Sequence, residues 1–227
     1  MMCVLALDTA LAGCSVAFYD GEKFFTEAAD MDRGQAEHLV PMIGRVLAKA
    51  GADYADIENI VTTVGPGAFT GLRIGLSTAR ALGLALDVPV TGVSTLNVIA
   101  RKFVAENDVA TDEVLCVLLE TRRADFYVQF GEGTPPEALQ ADEIVERLGT
   151  DGQVVFVGDA VARFKEVVTP LPAWRFVEGY ALPDPCFMAQ MAAAGRADLP
   201  PEPLYLRDAD VSAPKKGRKI LLEATDL

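Results

Sequence analysis

One carboxylate and one glycine-rich turn are the residues of this chain best suited to chemistry. Asp8 ends the apolar run that begins at Cys3, and Gly65-Pro66-Gly67-Ala68-Phe69-Thr70-Gly71-Leu72-Arg73 joins a β-rich run, Asn59 to Val64, to a helical pattern. Free N–H groups and the helix dipole at such a junction favour an anion. Asp8, Thr9, Gly65, Gly67, Thr70 and Gly71 therefore form a candidate weak nucleotide or phosphate loop, in which Asp8 would hold a magnesium ion through water. A plainer reading stands beside it: the glycines permit a tight turn and close helix packing, and Asp8 caps the turn after it. No GK[ST] follows, so the loop is not a Walker A motif, and glycines at 65, 67 and 71 miss the GxGxxG spacing by one residue. His38 is the single histidine, and Cys3, Cys14, Cys116 and Cys186 are scattered without a CxxC, so neither a His-rich nor a cysteine metal site is expected. No GxSxG elbow is present to build a serine triad on His38.

The elements that must position these residues follow from pattern and punctuation. Residues 2–8 and 14–19 read as strands around a turn at Gly13, and Asp20-Gly21 starts a hairpin into EKFFTEAA, which makes a three-stranded meander. Apolar positions at helical spacing from Ala36 to Ala50 predict a helix stopped by Gly51; Pro41 within it implies a kink or a late start. A second helix follows the glycine loop through Leu86, VPVTGV is a strand, and Ser94-Thr95 caps a third helix to about Ala105. DVATDE reads as a polar break, placing one lobe at 1–106 and a smaller one at 107–227. In the latter, VLCVLLE and DFYVQFG form a hairpin, GQVVFVG is a strand and 185–195 a short helix.

Composition narrows the function classes. The 227 residues are 51% hydrophobic and 23% charged, enough to fill a core of one large domain or two small lobes. A net charge of −13 argues against unaided tRNA or DNA binding, because nucleic-acid affinity rests on cations that displace counterions from phosphates. The one basic run, Lys215-Lys216-Gly217-Arg218-Lys219, lies in the tail. The N-terminus lacks the basic start of a signal peptide, and the apolar stretch Leu76 to Val93 is interrupted by Arg80, Asp87 and Pro89. A cytoplasmic protein with reduced cysteines and no membrane partner is expected.

The segments ALDTA (6–10), GCSVAF (13–18), AEHLVPMIGRVLAKAG (36–51), GPGAFTGLRIGLSTARALGLAL (65–86) and PVTGVSTL (89–96), in that order, resemble the bacterial TsaB (YeaZ) family. ETRRADFYVQF (120–130), GDA (158–160) and PLYLRDA (203–209) extend the resemblance more thinly. It implies an α/β ASKHA (actin/Hsp70-like) fold of two ribonuclease-H-like lobes, the second reduced. It further implies a non-catalytic scaffold subunit required for N6-threonylcarbamoyladenosine at position 37 of ANN-decoding tRNAs. The implied partners are a TsaD-like transferase and a TsaE-like ATPase, with tRNA met only through the complex and a homodimer formed when alone. No cofactor is expected to be tightly bound, and weak ATP or ADP binding in the assembled complex is compatible with the resemblance. Gln35 stands where a histidine before Ala-Glu is expected in many relatives, which weakens a metal or protease reading.

An interface function directs attention to the two long helices. Gly75, Ala79 and Gly83 form a small-residue stripe beside Leu72 and Leu76, with Arg73 and Arg80 on a neighbouring face. The earlier helix offers Leu39, Ile43, Val46 and Leu47. The resemblance implies that these helices pair with those of TsaD and, in a homodimer, with each other; the plainer reading packs the stripe on its own sheet. Two rival functions remain: an ASKHA small-molecule kinase or ATPase gripping phosphate at Asp8-Thr9 and Gly65–Gly71 and adenosine at Gly158-Asp159-Ala160, and a glycoprotease-like metalloprotease, disfavoured by the single histidine.

Overall fold

The computed structural model describes residues 2–121 and 123–206; the basic run at 215–219 lies outside them. The opening meander forms as expected, with β1 (Val4–Asp8), β2 (Gly13–Tyr19) and β3 (Phe24–Asp30) pairing antiparallel. β4 (Asn59–Gly65) and β5 (Val90–Ser94) continue the sheet in parallel, giving the order β3-β2-β1-β4-β5. β1 is covered on both faces, which is why it reads as unbroken apolar sequence. Alternation still sorts it: Leu5 and Leu7 enter one core cluster, Val4 and Ala6 another.

On the first face lie α1 (Gln35–Ala50) and α2 (Phe69–Leu86). α1 begins at Gln35 and continues through Pro41, so it does not start late; the proline sits on the exposed side, where water can serve the Glu37 carbonyl that it leaves without a donor. Gly51 ends the helix at φ 69°, as its sequence signal indicates. α3 (Thr95–Glu106) starts at Ser94, whose side chain makes no capping bond. It lies between the lobes: Ile99 and Phe103 pack with Leu115, Val117 and Leu119 of the second sheet.

That second sheet comprises β6 (Glu113–Glu120), β7 (Phe126–Phe130), β8 (Glu137–Leu139), β9 (Gln153–Val157) and β10 (Trp174–Phe176), in the order β10-β9-β6-β7-β8. Read from β8, this is the same succession as the first sheet, a meander followed by two parallel strands. The molecule is thus two ribonuclease-H-like lobes, the ASKHA arrangement. The second lobe is reduced, with helices α4 (Ala141–Leu148) and α5 (Val161–Val167) about half the length of α1 and α2 or less.

Later residues cross back over the expected division at residue 106. α6 (Pro185–Ala193) returns to the open face of the first sheet, where Met188, Ala189, Met191 and Ala192 join Val4, Ala6, Ala17 and Val61. An extended strap follows: Leu199 exchanges both backbone hydrogen bonds with Gly92, and the Leu204 N–H donates to the Val64 carbonyl at 2.7 Å. The physical reason is that one sheet face stays apolar after α1 and α2 have covered the other.

Candidate functional site

The glycine loop is tied down by the turn after β1. The Ala68 N–H donates to the Ala10 carbonyl at 2.7 Å, and the Thr9 hydroxyl donates to the Gly71 carbonyl at 2.7 Å. A Cβ at Gly71 would overlap the Thr9 carbonyl oxygen, and one at Gly67 the Ala10 carbonyl. A Cβ at Gly75 would crowd the Thr9 and Thr62 hydroxyls less severely, and one at Gly83 would overlap the Val90 side chain. These glycines let α2 lie directly on β1, β4 and β5, so the plainer reading of the loop holds. The face of the loop turned toward Thr9 and Ala10 is filled by the chain's own backbone, while Phe69 and Thr70 are exposed on the other side.

Asp8 serves the same turn. Its Oδ1 accepts from the Ala10 N–H at 3.1 Å and from the Thr63 hydroxyl at 2.7 Å. Burial pushes its carboxyl up to about 6, with the two hydrogen bonds pulling the other way. It is sealed in the core rather than presented to a ligand. Among the described residues no three His, Cys, Asp or Glu side chains gather into a metal-sized group. His38 is exposed on the first turn of α1, its Nδ1 3.2 Å from the Gly34 carbonyl.

The second lobe repeats the arrangement. Gly158, at φ 118°, brings the loop after β9 onto Leu118, and Asp159 Oδ1 accepts the Glu120 N–H at 2.8 Å. Glu120 is paired with Arg163 at 2.7 Å, and that guanidinium lies 3.7 Å from the Phe126 ring centroid. Crowding by the cleft walls, and secondarily the Glu120 charge, push the Asp159 carboxyl up to about 6, although the residue keeps a solvent-exposed edge. Between the lobes opens a cleft of about 1070 Å³, walled by Phe69, Thr70 and Arg73 on one side, Glu120 and Asp159 on the other, with Tyr205 of the strap at its edge.

Most residues expected to meet a partner are spent on the chain's own core. Leu39, Ile43, Val46 and Leu47 are buried under the first sheet, and Leu72, Gly75, Leu76, Ala79 and Gly83 form the inner side of α2. Their spacing defines a stripe but not the direction in which it faces. Arg73 and Arg80 are exposed, as expected. Arg73, however, is engaged within the chain: its guanidinium lies 3.8 Å from the Phe69 centroid and its Nε donates to the Tyr205 hydroxyl at 3.2 Å. The open ridge of α2 is Ser77, Arg80, Ala81 and Leu84, the last 88% exposed, and α1 adds Val40 at 50%. Leu84 was not among the expected residues; its signal in the sequence is an apolar side chain off the small-residue stripe.

A family model described as "TsaD: tRNA N6-adenosine threonylcarbamoyltransferase" matches residues 29–197. The tRNA threonylcarbamoyladenosine biosynthesis protein TsaB of Escherichia coli is 33% identical, over 91% of this chain and 95% of its own length. The protein of the same name from Buchnera aphidicola (Schizaphis graminum) is 35% identical over 99 residues, 44% of this chain and about half, 47%, of its own. The solved structure of YeaZ from Pseudomonas aeruginosa shares the fold, with a TM-score of 0.74 at 23% identity over 91% of this chain and all of that one. By the near full-length match and the order of its elements, this chain belongs to the TsaB (YeaZ) family.

Proposed function

We propose that this chain is a non-catalytic accessory subunit in the formation of N6-threonylcarbamoyladenosine at position 37 of ANN-decoding tRNAs. In this reading it binds and supports a TsaD-like transferase, works beside a TsaE-like ATPase, meets tRNA in the complex, and pairs with a second copy when alone. The cytoplasm is its place of action. The observation that carries the reading is the contrast on α2: its inner side is buried and the glycine loop is hydrogen-bonded to the turn after β1, while Ser77, Arg80, Ala81 and Leu84 form an open ridge. α2 contains two arginines and no acid, although the chain carries −13 overall, so an acidic helix is its natural complement. ATP or ADP, if held at all, would be held weakly and in the assembled complex, because both strand-end loops have spent groups on their own lobes.

The test is co-purification from the source cell. A TsaD-like protein should accompany the wild-type chain and be lost with Leu84→Asp, with threonylcarbamoyladenosine falling in cellular tRNA. Recovery of no such protein with the wild type would overturn the reading. A kinase or ATPase would instead show ATP turnover by the chain alone, abolished by Thr70→Ala.

A further inference from the structure

Phe18, Phe103, Phe126, Phe156 and Phe164 are fully buried, yet Phe69 remains 49% exposed and Tyr205 47%. Their rings lie 5.7 Å apart at an interplanar angle of 27°. Arg73 binds both, stacking on Phe69 and donating to the Tyr205 hydroxyl. Phe69 is fixed as the first residue of α2, and Tyr205 follows the residue hydrogen-bonded to Val64. The result is a preorganised aromatic pair with a delocalised cation stacked over Phe69, set in the wall of the interlobe cleft.

Resting on the reading of the chain as a tRNA-modification subunit, we propose that Phe69, Tyr205 and Arg73 form a stacking platform for an unpaired base of the tRNA held by the complex. Every base has a π-face, and aromatic rings and guanidinium planes are the groups on which splayed-out RNA bases stack. A concave cleft suits a flat base, whereas a partner helix is better served by the convex ridge from Ser77 to Leu84 on the same α2. The cleft wall carries Arg33, Arg73 and Arg123 but also Asp32, Glu37, Glu120 and Asp159. Phosphates therefore gain little there, and the contact depends on stacking with a shallow salt dependence.

Photo-crosslinking reads the contact directly, using an unmodified tRNA transcript carrying 4-thiouridine and the full chain assembled with its TsaD-like and TsaE-like partners. This chain should take the crosslink. Phe69→Ala and Tyr205→Ala should reduce it roughly fivefold or more and raise KM for tRNA in step, with kcat and complex assembly unchanged. Phe69→Trp and Tyr205→Phe, which keep a ring, should retain it. The proposal is overturned if no crosslink forms on this chain, if Tyr205→Phe loses as much as Tyr205→Ala, if the alanine variants lose the TsaD-like partner along with the RNA, or if millimolar ATP displaces the crosslink. Failure of the chain to assemble at all would overturn the docking function and the platform that rests on it, whereas assembly without the crosslink would overturn the platform alone.

Discussion

The two sheets share one strand order but are covered by helices of very different length. At 1.5 Å per residue, the 18 residues of α2 span about 27 Å, more than the ~23 Å of the seven-residue β4 beneath it. The seven residues of α5 span only about 10 Å. Short helices close the second lobe, whereas α2 packs on its sheet along its length, from Gly71 to Gly83, and carries a long exposed ridge besides. Both lobes fold a loop back onto their first strand and place an aspartate beside it, but Asp8 is sealed while Asp159 looks into the cleft. The first lobe supplies the rigid outer face, and the second supplies the opposite wall of the cleft.

The comparison is most severely tested at the loop glycines. Gly71→Ala and Gly158→Ala each drive a Cβ into a backbone carbonyl, so each should cost upwards of about 3 kcal/mol. At roughly 2–4 °C per kcal/mol for a chain of this size, the melting temperature should fall by about 6–12 °C in both variants. If only Gly71→Ala does so, the second loop is not docked as the first is.

Next in size is the response to pH at Asp8. Its native pKa of about 6 lies above the ordinary carboxylate value, so the folded state holds a proton that the unfolded chain has already released. Its contribution to stability is fully present below about pH 4, declines as pH rises through 6, and is flat above. Asp8→Asn keeps the acceptor for Ala10 and Thr63 without the charge, so it should gain on the wild type by up to ~3 kcal/mol between pH 4 and 8 in denaturant titrations. Asp159→Asn should show the same sign and a smaller span, because solvent in the cleft screens that charge. Equal spans would mean that the two carboxyls are equally enclosed.

Arg80→Glu addresses the outer face. Thermal unfolding should change by less than about 0.5 kcal/mol, as for most surface substitutions, while affinity for the TsaD-like partner drops tenfold or more. Normal affinity would move docking off the α2 ridge, toward Val40 on α1. The smallest effect is expected at Val167, the exposed apolar residue ending α5. Val167→Asp should alter partner affinity by less than twofold in the same binding assay, and a larger loss would give the second lobe a docking role.

Local signals were legible in the sequence and directions were not. The meander at 2–30, the stop at Gly51 and the strand–glycine loop–helix junction could all be read, because each depends on residues close in the chain. The facing of Gly75, Ala79 and Gly83 could not, since a stripe of small residues serves an internal and an external neighbour equally. α4, α5 and β10 are too short to leave a firm period, and α6 is too uniformly apolar to indicate which sheet it covers. The Phe69–Tyr205 platform joins residues 136 positions apart and has no local trace.

The return of α6 and the strap to the first sheet sets the order in which the protein can finish folding during synthesis. All five strands of that sheet are made once Ser94 has been added, but the helix that shields its second face ends at Ala193. At about 5–20 residues per second, the nascent chain carries that face without α6, and shielded only by α3 through Val98, for roughly 5–20 s. The N-terminal lobe is therefore the first begun and the last completed. Until the C-terminal segment arrives, Val4, Ala6, Ala17 and Val61 present an apolar surface that a chaperone, or a neighbouring nascent chain, can reach.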